Sequence, residues 1–132
     1  MKEIEFILYV ADQEKSKRFY EQLFQMKPSL DVPGMTEFRL SDSVKLGLMP
    51  ENGIAKIIGE KMPHPNKGAG IPRCELYLKV DEAKEYLERG IKFGGNKIDD
   101  LKDRDWGDKV GYISDIDGHI IAFCESVSSE RN

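Results

Sequence analysis

The pattern of apolar and polar positions changes period within the stretch EFILYVADQEKSKRFYEQLF. From Glu5 to Val10, Phe6, Leu8 and Val10 alternate with Glu5, Ile7 and Tyr9, the two-residue period of a strand with unlike faces. Asp12 then stands where a helix N-cap is expected. Ser16, Phe19, Tyr20 and Leu23 follow at helical spacing, and Met26-Lys27-Pro28 ends the helix, because proline cannot continue it.

The same order returns in CELYLKVDEAKEYLERG. Leu76, Leu78 and Val80 alternate with Glu75, Tyr77 and Lys79, Asp81 is the second N-cap candidate, and Ala83, Tyr86 and Leu87 form a helical stripe. Gly90 is placed for the left-handed residue after a helix end. Each half then continues with two strands around a tight turn, MTEFRLSDSVKLGLM in the first and KVGYISDIDGHIIAF in the second. Asp117-Gly118 is a hairpin signal, since glycine tolerates positive φ. A further strand in each half falls in the weaker regions 28–38 and 91–103. The pattern therefore predicts two β-α-β-β-β modules, 1–50 and 71–132, in an α+β chain. Residues 51–70, with Pro63, Pro65 and several glycines, form the connection, and GIAKIIGEKM within it suits a short helix.

Composition narrows the class. With 132 residues, 39% hydrophobic and 33% charged, the chain suits a folded, soluble protein. The net charge of −4 is spread over interspersed acids and bases, and no basic patch interleaved with aromatics points to nucleic acid. No apolar run is long enough for a membrane-spanning helix, and the N-terminal run lacks the flanks of a signal peptide. Cys74 and Cys124 have neither metal spacing nor a disulfide framework and read as two buried thiols of a cytoplasmic protein.

The duplicated order, ILYVADQEKSKRFYEQLF in one half and DWGDKVGYISDIDGHIIAF in the other, resembles the vicinal oxygen chelate superfamily of glyoxalase I, extradiol dioxygenases and bleomycin-resistance proteins. In place of that superfamily's usual Asp-Pro-Asp-Gly-Asn turn, the chain has Ile116 and His119 at the proline and asparagine positions. The resemblance implies cupped half-sheets around a cavity, with the first and last strands of each module side by side. It also implies a homodimer. Metal-dependent members carry one ligand on each of those four strands, and these positions fall on Glu5, Gly47, Glu75 and Ala122.

Two carboxylates and two residues without a donor atom make a poor zinc, nickel or iron site. Glu5 and Glu75 alone make a weak Mg²⁺ or Mn²⁺ site, to be completed by water or substrate. We therefore expect no resident metal cofactor. Glu5 and Glu75 are the candidate catalytic residues: if they face each other across a closed cavity, repulsion and desolvation raise the pKa of at least one, which can then act as a general base without a metal. Tyr9, Arg39, Lys45, Tyr77, Lys79, Trp106 and Tyr112 are the candidate ligand contacts, with Tyr112 taken as the counterpart of Arg39. His119 reads as a turn residue, and His64, between two prolines, as a loop residue.

Three functions remain open at this point. The first is a metal-independent protein that binds a small organic molecule. A metal-dependent lyase or isomerase of the glyoxalase I type, acting on a thiol adduct, is the second. The third is a dimeric interaction module with no small ligand.

Overall fold

The structure is a computed structural model and describes residues 1–126. Two compact units divide the chain, one running Met1–Ala69 and the other beginning at Gly70.

In the first unit, strand β1 (Ile4–Val10) leads into helix α1 (Gln13–Phe24), then β2 (Leu30–Val32), β3 (Met35–Ser41) and β4 (Val44–Pro50). The sheet order is β1-β4-β3-β2, with β1 parallel to β4 and the other pairs antiparallel. Asp12 caps α1 by accepting the Lys15 N–H at 3.0 Å. The helix stops three residues before Pro28, at Gln25, whose φ of 52° is left-handed. Its face carries Phe19, Tyr20 and Phe24, and Tyr20 lies tilted and Phe24 edge-on against Phe38 of β3. Each such buried side chain contributes about 1.5–3 kcal/mol, so this aromatic group anchors the unit. The segment after β4 forms α2 (Glu51–Ile58), which lies against β1 and β4, and two 3-10 turns, Gly59–Lys61 and Pro65–Gly68. His64 caps the second of these turns, its Nδ1 accepting the Asn66 N–H and its Nε2 meeting Asn52 Oδ1 at 2.9 Å.

The second unit repeats the plan with β5 (Glu75–Lys79), α3 (Ala83–Lys92), β6 (Asn96–Asp103), β7 (Asp108–Ser114) and β8 (Ile120–Ser126), in the order β5-β8-β7-β6. Phe123 of β8 stacks on Tyr86 of α3 at 4.9 Å. Two four-stranded sheets with three α-helices are thus an α+β architecture built from a repeated module.

Four local expectations are corrected. Asp81 does not cap α3: the cap residue is Glu82, whose side chain makes no capping bond. Glu125, reaching over from β8, accepts the Ala83 N–H at 2.9 Å instead. Gly90 lies within α3, and positive φ is reached later, at Gly94 (121°). Phe6 does not share the burial of Leu8 and Val10, with which it alternates in phase, but is 58% exposed on the outer strand β1. Cys74 is exposed, and only Cys124 is buried.

The turn between β7 and β8 is built around Asp115, which is 1% exposed. Its Oδ1 accepts the N–H groups of Asp117 (2.9 Å) and His119 (2.8 Å). Gly118 supplies the positive φ of 93° that the turn requires.

Candidate functional site

Strand alternation gives each sheet two faces. One carries Phe38 toward α1 in the first unit and Phe123 toward α3 in the second. The opposite face is where the sequence places its candidate chemistry.

On that face of the first unit, Glu5 pairs across β1/β4 with Lys45, Ile7 with Gly47 and Tyr9 with Met49. Across β3/β4, Glu37 pairs with Gly47 and Arg39 with Lys45. Glu5, Glu37, Arg39 and Lys45 therefore surround Gly47. The Lys45 ammonium meets Glu37 at 2.9 Å, Glu3 at 3.5 Å and Glu5 at 3.7 Å. Arg39 pairs with Glu3 at 2.7 Å and also donates to the carbonyls of Ser41 and Asp42. Gly47 is necessary here by close approach, since a Cβ on it would meet Glu5 Oε2 at 2.5 Å. That Oε2 atom is buried and has no hydrogen-bond donor beside it.

The two central carboxyls differ in acidity. Burial pushes the Glu5 carboxyl above its ordinary value, and the hydrogen bond and charge of Glu37 push it further the same way. The Lys45 hydrogen bond holds Glu37 below the usual range. Of the pair, Glu5 is therefore the weaker acid and Glu37 the stronger. Lys45 is held in its charged form chiefly by its hydrogen bond to Glu37.

In the second unit, Glu75 pairs across β5/β8 with Ile120, Tyr77 with Ala122 and Lys79 with Cys124. Ala122 is fully buried with Val110 and Cys124, and Tyr112 packs over them. Tyr112 pairs with Ala122 just as Glu37 pairs with Gly47. Tyr112 is therefore the counterpart of Glu37, not of Arg39, whose place goes to Ser114. The assumed equivalence was two residues out of register. Arg104 lies over the Tyr112 ring at 5.2 Å and pairs with Asp99 at 3.0 Å. Burial, then the charge of Glu75, pushes the Tyr112 phenol up.

Further along the same face, Trp106 is 59% exposed. Its indole N–H nonetheless donates to the Tyr77 hydroxyl at 2.8 Å, and that hydroxyl donates to Asp108 at 2.6 Å. Lys79 lies 3.6 Å from the same carboxylate. Burial and the Asp108 hydrogen bond raise the Tyr77 phenol far above its ordinary value, so it stays a donor. Burial likewise raises the Cys124 thiol, which makes it a poor nucleophile.

The structure thus brings Glu5, Arg39 and Lys45 together in one unit, and Tyr77, Lys79 and Trp106 in the other. Glu75 stands exposed at the start of β5, and Tyr9 is 38% exposed on β1. Glu3, Glu37 and Asp108 escaped notice as functional residues. Alternation already put Glu37 beside Arg39, whereas no local pattern marks Asp108, which gains its place from a strand distant in sequence.

At the four positions where the resemblance implies metal ligands, Gly47 and Ala122 carry no donor atom, Glu5 lies 3.7 Å from the Lys45 ammonium and Glu75 stands at the start of β5. Among the described residues, Asp115, Asp117 and His119 bring possible ligand atoms within 4.8 Å of one another, but Asp115 is already occupied in organising its own turn.

Comparison with known proteins agrees with the architecture. The sequence profile of the glyoxalase-like domain matches residues 4–128. An uncharacterised protein of Mycobacterium bovis is 24% identical over 115 residues, covering 85% of this chain and 75% of the other. A glyoxalase-related enzyme from Fulvimarina pelagi superposes with a TM-score of 0.79 at 21% identity, covering 96% of this chain and 89% of its own. A glyoxalase/bleomycin resistance protein from Albidiferax ferrireducens superposes with a TM-score of 0.70 at 20% identity, covering 93% and 97%.

Proposed function

The chain belongs to the glyoxalase-like domain family, and from that premise we propose that it binds a small organic molecule on the sheet faces opposite α1 and α3, without a metal centre. The observation that carries this reading is Trp106. An indole more than half exposed, yet held through Tyr77 to Asp108, is a pre-organised platform for a planar or cationic group. Stacking of a cation on such a ring contributes roughly 0.5–2 kcal/mol, and the fixed ring loses little entropy on binding.

In this reading Tyr77 and Tyr112 supply ring surface and Lys79 charge in the second unit, and Tyr9 supplies ring surface and Arg39 and Lys45 charge in the first. The raised pKa of Glu5 suits it to exchange a proton with a ligand oxygen in the first unit, and Glu75 is the candidate acid of the second. The donorless positions 47 and 122 support the absence of a resident metal. They weigh against the metal-dependent lyase or isomerase reading, which family membership alone favours.

Two further parts of the proposal rest on surface features. Exposed Phe6 on an outer strand supports a homodimer, and the exposed free thiol of Cys74 supports a reducing, cytoplasmic setting. No helix among the described residues is long and apolar enough to cross a membrane.

Two measurements test the reading. Elemental mass spectrometry after incubation with divalent ions and gel filtration is expected to find no stoichiometric metal. Calorimetric titration with a panel of planar aromatic cations is expected to find a ligand whose affinity falls at least tenfold in Trp106→Ala. A retained metal together with hemithioacetal turnover would replace this proposal with the lyase reading.

A further inference from the structure

A cavity of about 410 Å³ lies in the second unit, between α3 and strands β6 and β7. It is on the side of the sheet that α3 covers, and the ligand surface proposed above is on the other. Strand pairing opens it. β6 slips register against β7 twice, between Lys97 and Asp99 and again between Asp99 and Lys102. Each slip adds an unopposed residue and bends the strand. The corresponding strand of the first unit, β2, pairs with β3 without such a slip. Gly111 lets the floor close, since a Cβ on it would meet Leu87 Cδ1 at 2.5 Å and the Leu101 backbone nitrogen at 3.2 Å.

The lining is apolar along its length and cationic at one end. Leu87 and Ile91 of α3 lie across from Leu101 of β6 and Ile113 of β7. Ile91 is 42% exposed, an apolar side chain that the fold leaves partly uncovered. Lys84 and Lys109 mark the cationic end. Glu125 stands opposite Lys109 in the β7–β8 register and also accepts the Ala83 N–H, so the start of β7 and the start of α3 meet there. Neither lysine has an ion-pair partner among the described residues, although Lys109 is half-buried. The cavity's acids on β6 are engaged: Asp99 pairs with Arg104 at 3.0 Å and with Lys102 at 3.2 Å, and Asp100 pairs with Lys97. Glu88, exposed on α3, is the cavity acid without an ion pair among the described residues.

We infer that this cavity is a second binding site, for an organic carboxylate with an aliphatic body. The carboxylate lies between Lys84 and Lys109, and the chain runs along Leu87, Leu101, Ile91 and Ile113. From Lys84 to Ile91 the helix advances about 10 Å at roughly 1.5 Å per residue, which suits a medium-chain acid. The volume falls within the range of small-molecule clefts. The site goes beyond the proposed function and shares none of these side chains with it.

Sodium octanoate is the probe, titrated into the full chain and followed by the methyl NMR signals of Leu87, Ile91, Leu101 and Ile113. Saturable shifts at these residues are expected. Octanol, with the same body and no charge, and octylammonium, with the opposite charge, are each expected to bind at least tenfold more weakly. Lys84→Gln and Lys109→Gln should each weaken octanoate at least threefold, and Glu88→Gln should tighten it. Lys84 and Glu88 are exposed on α3, so their variants keep the test in force if Lys109→Gln does not fold. Octanoate that fails to shift these methyl signals saturably, or that binds no more tightly than octanol or octylammonium, overturns the inference. So does an affinity unchanged in both Lys84→Gln and Glu88→Gln.

Discussion

The Glu5 carboxyl and the α-carbon of Gly47 occupy adjoining space on neighbouring strands, with Oε2 2.5 Å from where a Cβ on residue 47 would lie. Any side chain at 47 must displace that carboxyl. Gly47→Ala is therefore expected to turn Glu5 toward water, where its carboxyl no longer suffers desolvation. A carbon-detected NMR titration should show Glu5 losing its proton at lower pH in the variant than in wild type. Stability should fall by about 1 kcal/mol, at the low end of over-packing costs because the displaced group is the flexible end of a side chain. An unchanged Glu5 titration would contradict the geometry.

Glu5 also predicts how stability depends on pH. Its folded pKa is raised, by burial first and Glu37 second, so the folded state holds this proton more tightly than the unfolded state. The resulting stabilisation is complete below the ordinary carboxyl pKa and is lost as pH rises through the folded value. Glu5→Gln should remove that decline and raise stability at neutral pH by about 1 kcal/mol, since the amide offers Glu37 an N–H at every pH. Glu37 has the opposite sign. The Lys45 hydrogen bond lowers its pKa, so its contribution is present above the ordinary value and lost as pH falls through the folded one. Glu37→Gln should therefore destabilise at neutral pH. Urea unfolding of both variants between pH 4 and pH 8, on the order of the range where carboxyls and their neighbours change charge, measures the two slopes.

Tyr77→Phe should release Trp106 without unfolding the second unit. The substitution removes the hydroxyl that accepts the indole N–H and donates to Asp108. Two exposed hydrogen bonds are worth roughly 0.5–1.5 kcal/mol each, and both freed groups can turn to water. Trp106 is the only tryptophan in the chain, so its fluorescence anisotropy reports directly on its freedom and should fall. If aromatic cations bind as proposed, their affinity should fall with it.

Asp115→Ala should cost stability rather than ligand binding. It leaves the N–H groups of Asp117 and His119 without the oxygen that closes the β7–β8 turn. The loss is expected to be roughly 1–3 kcal/mol by thermal or urea unfolding, with Asp115→Asn milder because an amide oxygen still accepts.

The repeated module was legible in the sequence because its cause is local. A two-residue period passing into a helical one at Asp12, and a turn at Asp117-Gly118, recur in order and leave few foldings open. The side of the sheet on which Glu5, Arg39, Lys45, Tyr77 and Ala122 lie also follows from alternation, which a strand imposes on every residue. Phe6 keeps that alternation but not the burial of Leu8 and Val10, and is 58% exposed on the outer strand β1.

What the sequence determined by itself was therefore the succession of elements and the two residues that bring no metal donor, Gly47 and Ala122. Tertiary structure alone decided who meets whom. The parallel pairing of β1 with β4 sets Lys45 among Glu3, Glu5 and Glu37, and the pairing of β7 with β8 gives Tyr112 the place of Glu37. Asp108 reaches Tyr77, and Glu125 caps α3 from the last strand, across separations that no periodicity encodes. Register between strands is a long-range quantity, and the raised pKa of Glu5 follows from it, because burial and neighbouring charge exist only once the sheet is assembled.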